Sequence, residues 1–141
     1  MVSVGKDFVA VIRTDGIVHA WGSNEFGQTN VPVDLGTVKQ ISAGDGFIVA
    51  VKDDGTVRGW GKNDCGQLTI PEGLADVISV SAGSGFVYAL KADGSLVCWG
   101  SNRTGQLLIP EDVQAKGVLA VSCAGNKVTV VASDMSVTEM N

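Results

Sequence analysis

Histidine is almost missing from these 141 residues: His19 is the single copy. No multi-histidine metal site can therefore be assembled within one chain, and a histidine-based catalytic triad is not expected either. Basic residues are also few, 10 against 15 acidic, giving a net charge of -5, and no stretch clusters Lys or Arg. Binding to phosphate backbones or anionic membranes draws on concentrated positive charge, so neither nucleic acid nor membrane is expected as a partner. The cysteines, Cys65, Cys98 and Cys123, are odd in number and show no C-x-x-C spacing. Small apolar fillers in a reducing compartment are the expectation, without a disulfide framework or a zinc site. Long hydrophobic runs are lacking as well. The stretch from Val2 to Ile12 is interrupted by Gly5, Lys6 and Asp7, far short of the roughly 20 residues a membrane helix needs. Neither a signal peptide nor a membrane span is expected, which favours a cytoplasmic or virion location over secretion.

What the chain does contain is glycine, 19 residues against 3 prolines, within a composition that is 45% hydrophobic. A collagen period is absent, and so much glycine among apolar residues points to tight turns between short strands. Those turns are periodic. Trp-Gly occurs at Trp21-Gly22, Trp60-Gly61 and Trp99-Gly100, each pair 39 positions after the last. Gly27-Gln28, Gly66-Gln67 and Gly105-Gln106 keep the same phase, as do Pro32, Pro71 and Pro110, and the Asp-Gly pairs at 15–16, 54–55 and 93–94. Four independent markers in one register define a repeat, and a period near 40 is the mark of propeller or solenoid architectures.

Each unit has the same plan. A short strand ending in Ser-Ala-Gly precedes a hairpin such as Phe47–Lys52, Asp53-Asp54-Gly55, Thr56–Trp60. Asp-Gly between two apolar runs is a strong hairpin signal, since glycine supplies the positive φ of the turn. A loop of the form Asn-x-x-Gly-Gln, then Pro, leads to the next unit. Consecutive residues of a strand face opposite sides of its sheet, yet Phe8-Val9-Ala10-Val11-Ile12 is apolar throughout. Such sheets need cover on both faces, as neighbouring propeller blades provide. The expected fold is all-β: about four β-propeller-type blades in a single repeat domain over 1–141, as an open arc or completed by oligomerisation. The units run approximately 1–22, 23–61, 62–100 and 101–141, with four hairpins but three Gly-Gln connectors. The fourth unit departs from the pattern, with Met140 in place of Trp, Asn141 in place of Gly and Met135 in place of the turn glycine.

The pattern Trp-Gly-x-Asn-x-x-Gly-Gln-x-x-x-Pro, preceded by Ala-Leu-Lys-x-Asp-Gly at Ala89 to Gly94, resembles the regulator of chromosome condensation repeat. It is especially similar to the bacterial branch that includes the secreted propeller-type β-lactamase inhibitor. The resemblance spans essentially the whole chain and implies a propeller, usually closed at seven blades in that family. Where the family often has histidine at the start of the hairpin, this chain has Phe8, Phe47, Phe86 and, in the fourth unit, Lys127 or Val128. The basic tail of chromatin-binding members and the tryptophan-rich motifs of the plant ultraviolet-B receptor are absent, so nucleotide exchange on a small GTPase gains no support.

Among individual residues, Trp21, Trp60 and Trp99 share one phase and are expected to fill the space between blades. Gln28, Gln67 and Gln106 are expected to pair with nearby backbone groups, as buried amides must. The Asp-Gly turns lack the full calcium-loop series with its distal Glu. Residues that vary between units are the candidate protein-contact loops: Glu25 and Phe26, Asp64 and Cys65, Arg103 and Thr104 in the connectors, with Asp45 and Ser84 after Ser-Ala-Gly. No catalytic constellation, metal site or cofactor-binding motif is present. A non-enzymatic protein-binding or assembly module is the expectation, either self-associating or docked in a larger assembly such as a phage virion. The alternative is a proteinaceous enzyme inhibitor presenting loops on one propeller face. Both end sheets are expected to lack cover, a liability for an isolated arc.

Overall fold

A computed structural model describes residues 1–103 and 105–140. It contains four three-stranded antiparallel sheets, each made from consecutive strands with the middle one hydrogen-bonded to both others. Sheet one comprises β1 (Val2–Val4), β2 (Phe8–Ile12) and β3 (Val18–Gly22), and sheet two β4 (Val38–Ala43), β5 (Phe47–Lys52) and β6 (Val57–Gly61). Sheet three comprises β7 (Val77–Ala82), β8 (Phe86–Lys91) and β9 (Leu96–Gly100); sheet four comprises β10 (Val118–Ala124), β11 (Lys127–Ala132) and β12 (Val137–Met140). The registers repeat too: Val9 faces Trp21, Ile48 faces Trp60 and Val87 faces Trp99.

Successive sheets pack face to face, with the connector between them inserted into the seam. In the second seam, Phe47, Val49 and Val51 of sheet two meet Val80, Ala82, Val87, Ala89 and Trp99 of sheet three, and Leu68, Ile70 and Leu74 of the connector close the gap. Both faces of β5 and β8 are consequently buried, which is why these strands carry apolar residues without alternation. Each blade thus has a leading face, turned to the sheet before it, and a trailing face, turned to the sheet after it.

One element was not legible as a repeat feature. The longer third connector forms a short helix, α1 (Glu111–Lys116), with Gly117 ending it at φ +75°. Val113 is buried from this turn, as Leu35 is from the first connector. The Gln114 amide donates to the Leu96 carbonyl at 2.9 Å and accepts from the Leu96 N–H at 3.1 Å, pinning the helix to the edge of sheet three.

The hairpin turns show the cost of the fourth unit's irregularity. Gly16, Gly55 and Gly94 take φ of +82°, +82° and +84°, and Met135 takes the equivalent place at +69°. A side chain in this left-handed region is disfavoured by roughly 1 kcal/mol. Met135→Gly is therefore expected to raise stability by about 1 kcal/mol, read as a higher midpoint in chemical denaturation with an unchanged slope; a lower midpoint would contradict the strain.

Candidate protein-interaction site

The glutamines of the connectors are buried, as their repeated phase suggested. Gln28 Oε1 accepts the Phe26 N–H at 2.9 Å, and Gln67 Oε1 accepts the Cys65 N–H at 2.8 Å while its amide donates to Asp64 at 3.1 Å. Their backbone carbonyls face the next blade. Trp60 Nε1 donates to the Gln28 carbonyl at 3.0 Å and Trp99 Nε1 to the Gln67 carbonyl at 2.9 Å. Each of these tryptophans thus fastens its own sheet to the connector before it. The third seam has Met140 in the tryptophan position, which offers no donor, and here the Tyr88 hydroxyl donates to the Gln106 carbonyl from the preceding sheet. Burial pushes the Tyr88 phenol above its ordinary range and the Cys123 thiol up to about 12, so both are protonated at neutral pH.

A second repeated device runs along the inner strands. Ser3, Ser42 and Ser81 each accept a backbone N–H from the following sheet, those of Ala43 at 2.9 Å, Ala82 at 3.0 Å and Cys123 at 2.9 Å. The repeated Ser-Ala-Gly marked Ser42 and Ser81 as strand ends, but only the structure shows that these serines reach across a seam.

Most candidate loop residues gather on one rim. Asp45 and Ser84, with Lys6, line a cleft of about 440 Å³ between the inner strands. Phe26 and Cys65, from the connectors, sit over Gly46 and Gly85, the glycines following Asp45 and Ser84; a Cβ on Gly46 would lie 2.8 Å from the Phe26 ring. The Lys62 ammonium lies 4.9 Å from that ring and 3.5 Å from Asp64. Glu25 and Arg103 are exposed beside them. Thr104 lies outside the described residues.

Trp21 departs from the other two tryptophans. Its relative exposure is 54%, against 7% for Trp60 and 6% for Trp99. It fills no gap between blades among the described residues, because its place is on the leading face of sheet one, which none of the four sheets covers. Val2 and Val4 on the same face are 64% and 68% exposed. The register aligns Val2 with Val11, Val4 with Val9, Val9 with Trp21 and Val11 with His19, so these six side chains form one continuous strip. The opposite end differs from the expectation. The trailing face of sheet four carries Ser122, Lys127, Thr129 and Glu139 beside Val131 and Val137. Lys127 stands where the inner sheets have a buried phenylalanine. Among the described residues, only the first sheet leaves a largely apolar face open.

Stacked antiparallel sheets with inserted connectors define an arc of β-propeller blades. The chain belongs to the regulator of chromosome condensation (RCC1) repeat family, whose profile matches residues 2–28, 38–67 and 77–106. No individually curated protein matches it significantly in sequence. In structure it is similar to human WBSCR16, with a TM-score of 0.83 at 18% identity over 98% of this chain and 47% of that one. Prp20p from Saccharomyces cerevisiae gives a TM-score of 0.83 at 20% identity over 99% and 44%. The C-terminal domain of gp131 from bacteriophage phiKZ gives 0.64 at 14% identity over 95% and 47%. The chain thus spans less than half the length of these three structures.

Proposed function

We propose that the chain is a non-enzymatic protein-binding and assembly module whose working contact is the open leading face of sheet one. The observation that carries this reading is the exposed strip of Val2, Val4 and Trp21 on a sheet whose equivalents in sheets two and three are buried or, at Ala43, half-buried. Large rimmed apolar patches on soluble proteins mark interaction sites, and tryptophan is prominent among residues that dominate binding energy. Yeast Prp20p, a structure of the same fold, was described with its binding properties to Gsp1p and histones, which accords with a protein partner. The likeness to the phage protein is one of fold alone, and a virion subunit is the finer form of this proposal. An inhibitor presenting loops has in its favour the gathering of Phe26, Cys65, Asp45 and Ser84 on one rim, and would work through that rim instead of the end face.

The test uses an apolar fluorescent dye. The purified chain is expected to bind it, and Val4→Lys is expected to abolish most of the signal while leaving the circular dichroism spectrum unchanged, because Val4 is exposed. A 14.5 kDa monomer that leaves the dye dark would overturn the reading.

A further inference from the structure

The seams inside the chain specify what fits its open face. Each brings three things to a leading face: a phenylalanine ring from the preceding sheet (Phe8, Phe47 or Phe86), a serine for an inner-strand N–H, and a connector of apolar side chains. In the first two seams that connector also offers a glutamine carbonyl to the tryptophan indole. On sheet one the corresponding receptors are the Val4 N–H, in the place of Ala43 and Ala82, and the Trp21 indole, in the place of Trp60 and Trp99.

A second copy of this chain supplies only part of that set. Its fourth sheet keeps Ser122, but Lys127 replaces the phenylalanine and Glu139 stands where Ala20 and Gly59 stand. Docking it would bring a lysine and a glutamate against the valine strip, and buried charges without partners are costly. A fourth detail narrows the match. Arg58, on the leading face of sheet two, pairs with Asp34 of the preceding connector at 3.4 Å, whereas in sheet three Val97 takes the arginine position and Gly73 the aspartate position. Polar is matched with polar and apolar with small. Sheet one has His19 at this position, its ring 3.4 Å from Arg13 Nη1, so an acidic residue two places after the connector proline would face this pair.

Resting on the protein-binding reading above, we infer that the open face receives the terminal blade of a second polypeptide built from this same kind of repeat and ending in an Asn-x-x-Gly-Gln connector. The glutamine carbonyl of that connector takes the Trp21 indole N–H, and the blade's inner-strand serine takes the Val4 N–H.

The test supplies such a blade on this protein's own frame. The probe is the full chain carrying Val4→Lys and Trp21→Ala to silence its own leading face, with Lys127→Phe and Glu139→Gly, extended past Asn141 by a copy of residues 23–37. The comparison chain carries Val4→Lys and Trp21→Ala alone. Mixed with the unaltered protein, the probe is expected to give a one-to-one complex by light scattering. Iodide quenching of the accessible tryptophan should fall several-fold, as its exposure drops from 54% toward the 7% and 6% of Trp60 and Trp99. The comparison chain is expected to give neither, and Val4→Lys in the receiving protein is expected to prevent the complex. Equal protection by the comparison chain, or self-association of the unaltered protein with Trp21 shielded, would show that a plain second copy is the occupant and overturn the inference. A folded probe that gives no protection overturns it as well. In that case dye binding sensitive to Val4→Lys would still stand, so the two readings fail separately.

Discussion

Trp99→Ala is expected to lower stability by about 4 kcal/mol, the range for removing a large buried aromatic, whereas Trp21→Ala should change it by less than about 0.5 kcal/mol. The two residues occupy the same position of the repeat, so intrinsic propensity and turn chemistry are shared. What differs is the seam. Trp99 is 6% exposed, packs with Phe47, Val49 and Val87, and donates to the Gln67 carbonyl at 2.9 Å. Its loss opens a cavity between two sheets and leaves a connector carbonyl without its donor. Trp21 is 54% exposed on an open face. Urea denaturation of the two variants measures the contrast, and equal losses would mean that Trp21 is covered in solution.

Gly61→Ala is the second large effect, expected at about 3 kcal/mol or more from backbone strain and overpacking together. Gly61 takes φ +106°, and a Cβ there would lie 2.6 Å from the Gly46 carbonyl oxygen and 2.9 Å from the Phe47 Cα. Both obstacles are backbone atoms, at and just before the start of the paired strand β5, so a rotamer change offers no relief. Gly73→Ala makes the comparison clean. Gly73 has φ +77° with nothing within 4 Å of its would-be Cβ, so only the conformational cost of about 1 kcal/mol remains. Parallel thermal or urea unfolding checks the difference; similar losses at both positions would refute the role given to close approach.

The pairing of glycine with phenylalanine also explains an irregularity of the fourth unit. A Cβ on Gly5, Gly44 or Gly83 would meet the ring of Phe8, Phe47 or Phe86 at 2.2, 2.4 or 2.3 Å. In the fourth unit both members change together, to Ala124 and Lys127. Once the ring is gone, the space beside it need not be kept.

Much of the fold was written in the repeat. Trp-Gly, Asp-Gly and Gly-Gln in one phase located each sheet, its hairpin and its connector, because each marker answers a local demand of a turn or a seam. The helix Glu111–Lys116 escaped notice because it fills an insertion that breaks the phase. The fate of Trp21 was hidden for a different reason: identical residues in identical phase suggested an identical role, while burial depends on whether a neighbouring sheet exists. The two ends of the arc were likewise expected to match. Which side of a strand meets the neighbour follows from pairing parity, so Lys127, Thr129 and Glu139 were visible as letters without a direction.

The Tyr88 hydroxyl, which holds the Gln106 carbonyl in the third seam, has a consequence for how the array comes apart. That bond comes from β8, so the third connector is tied back to sheet three. Loosening β12 would then open sheet four without freeing the loop that leads into it.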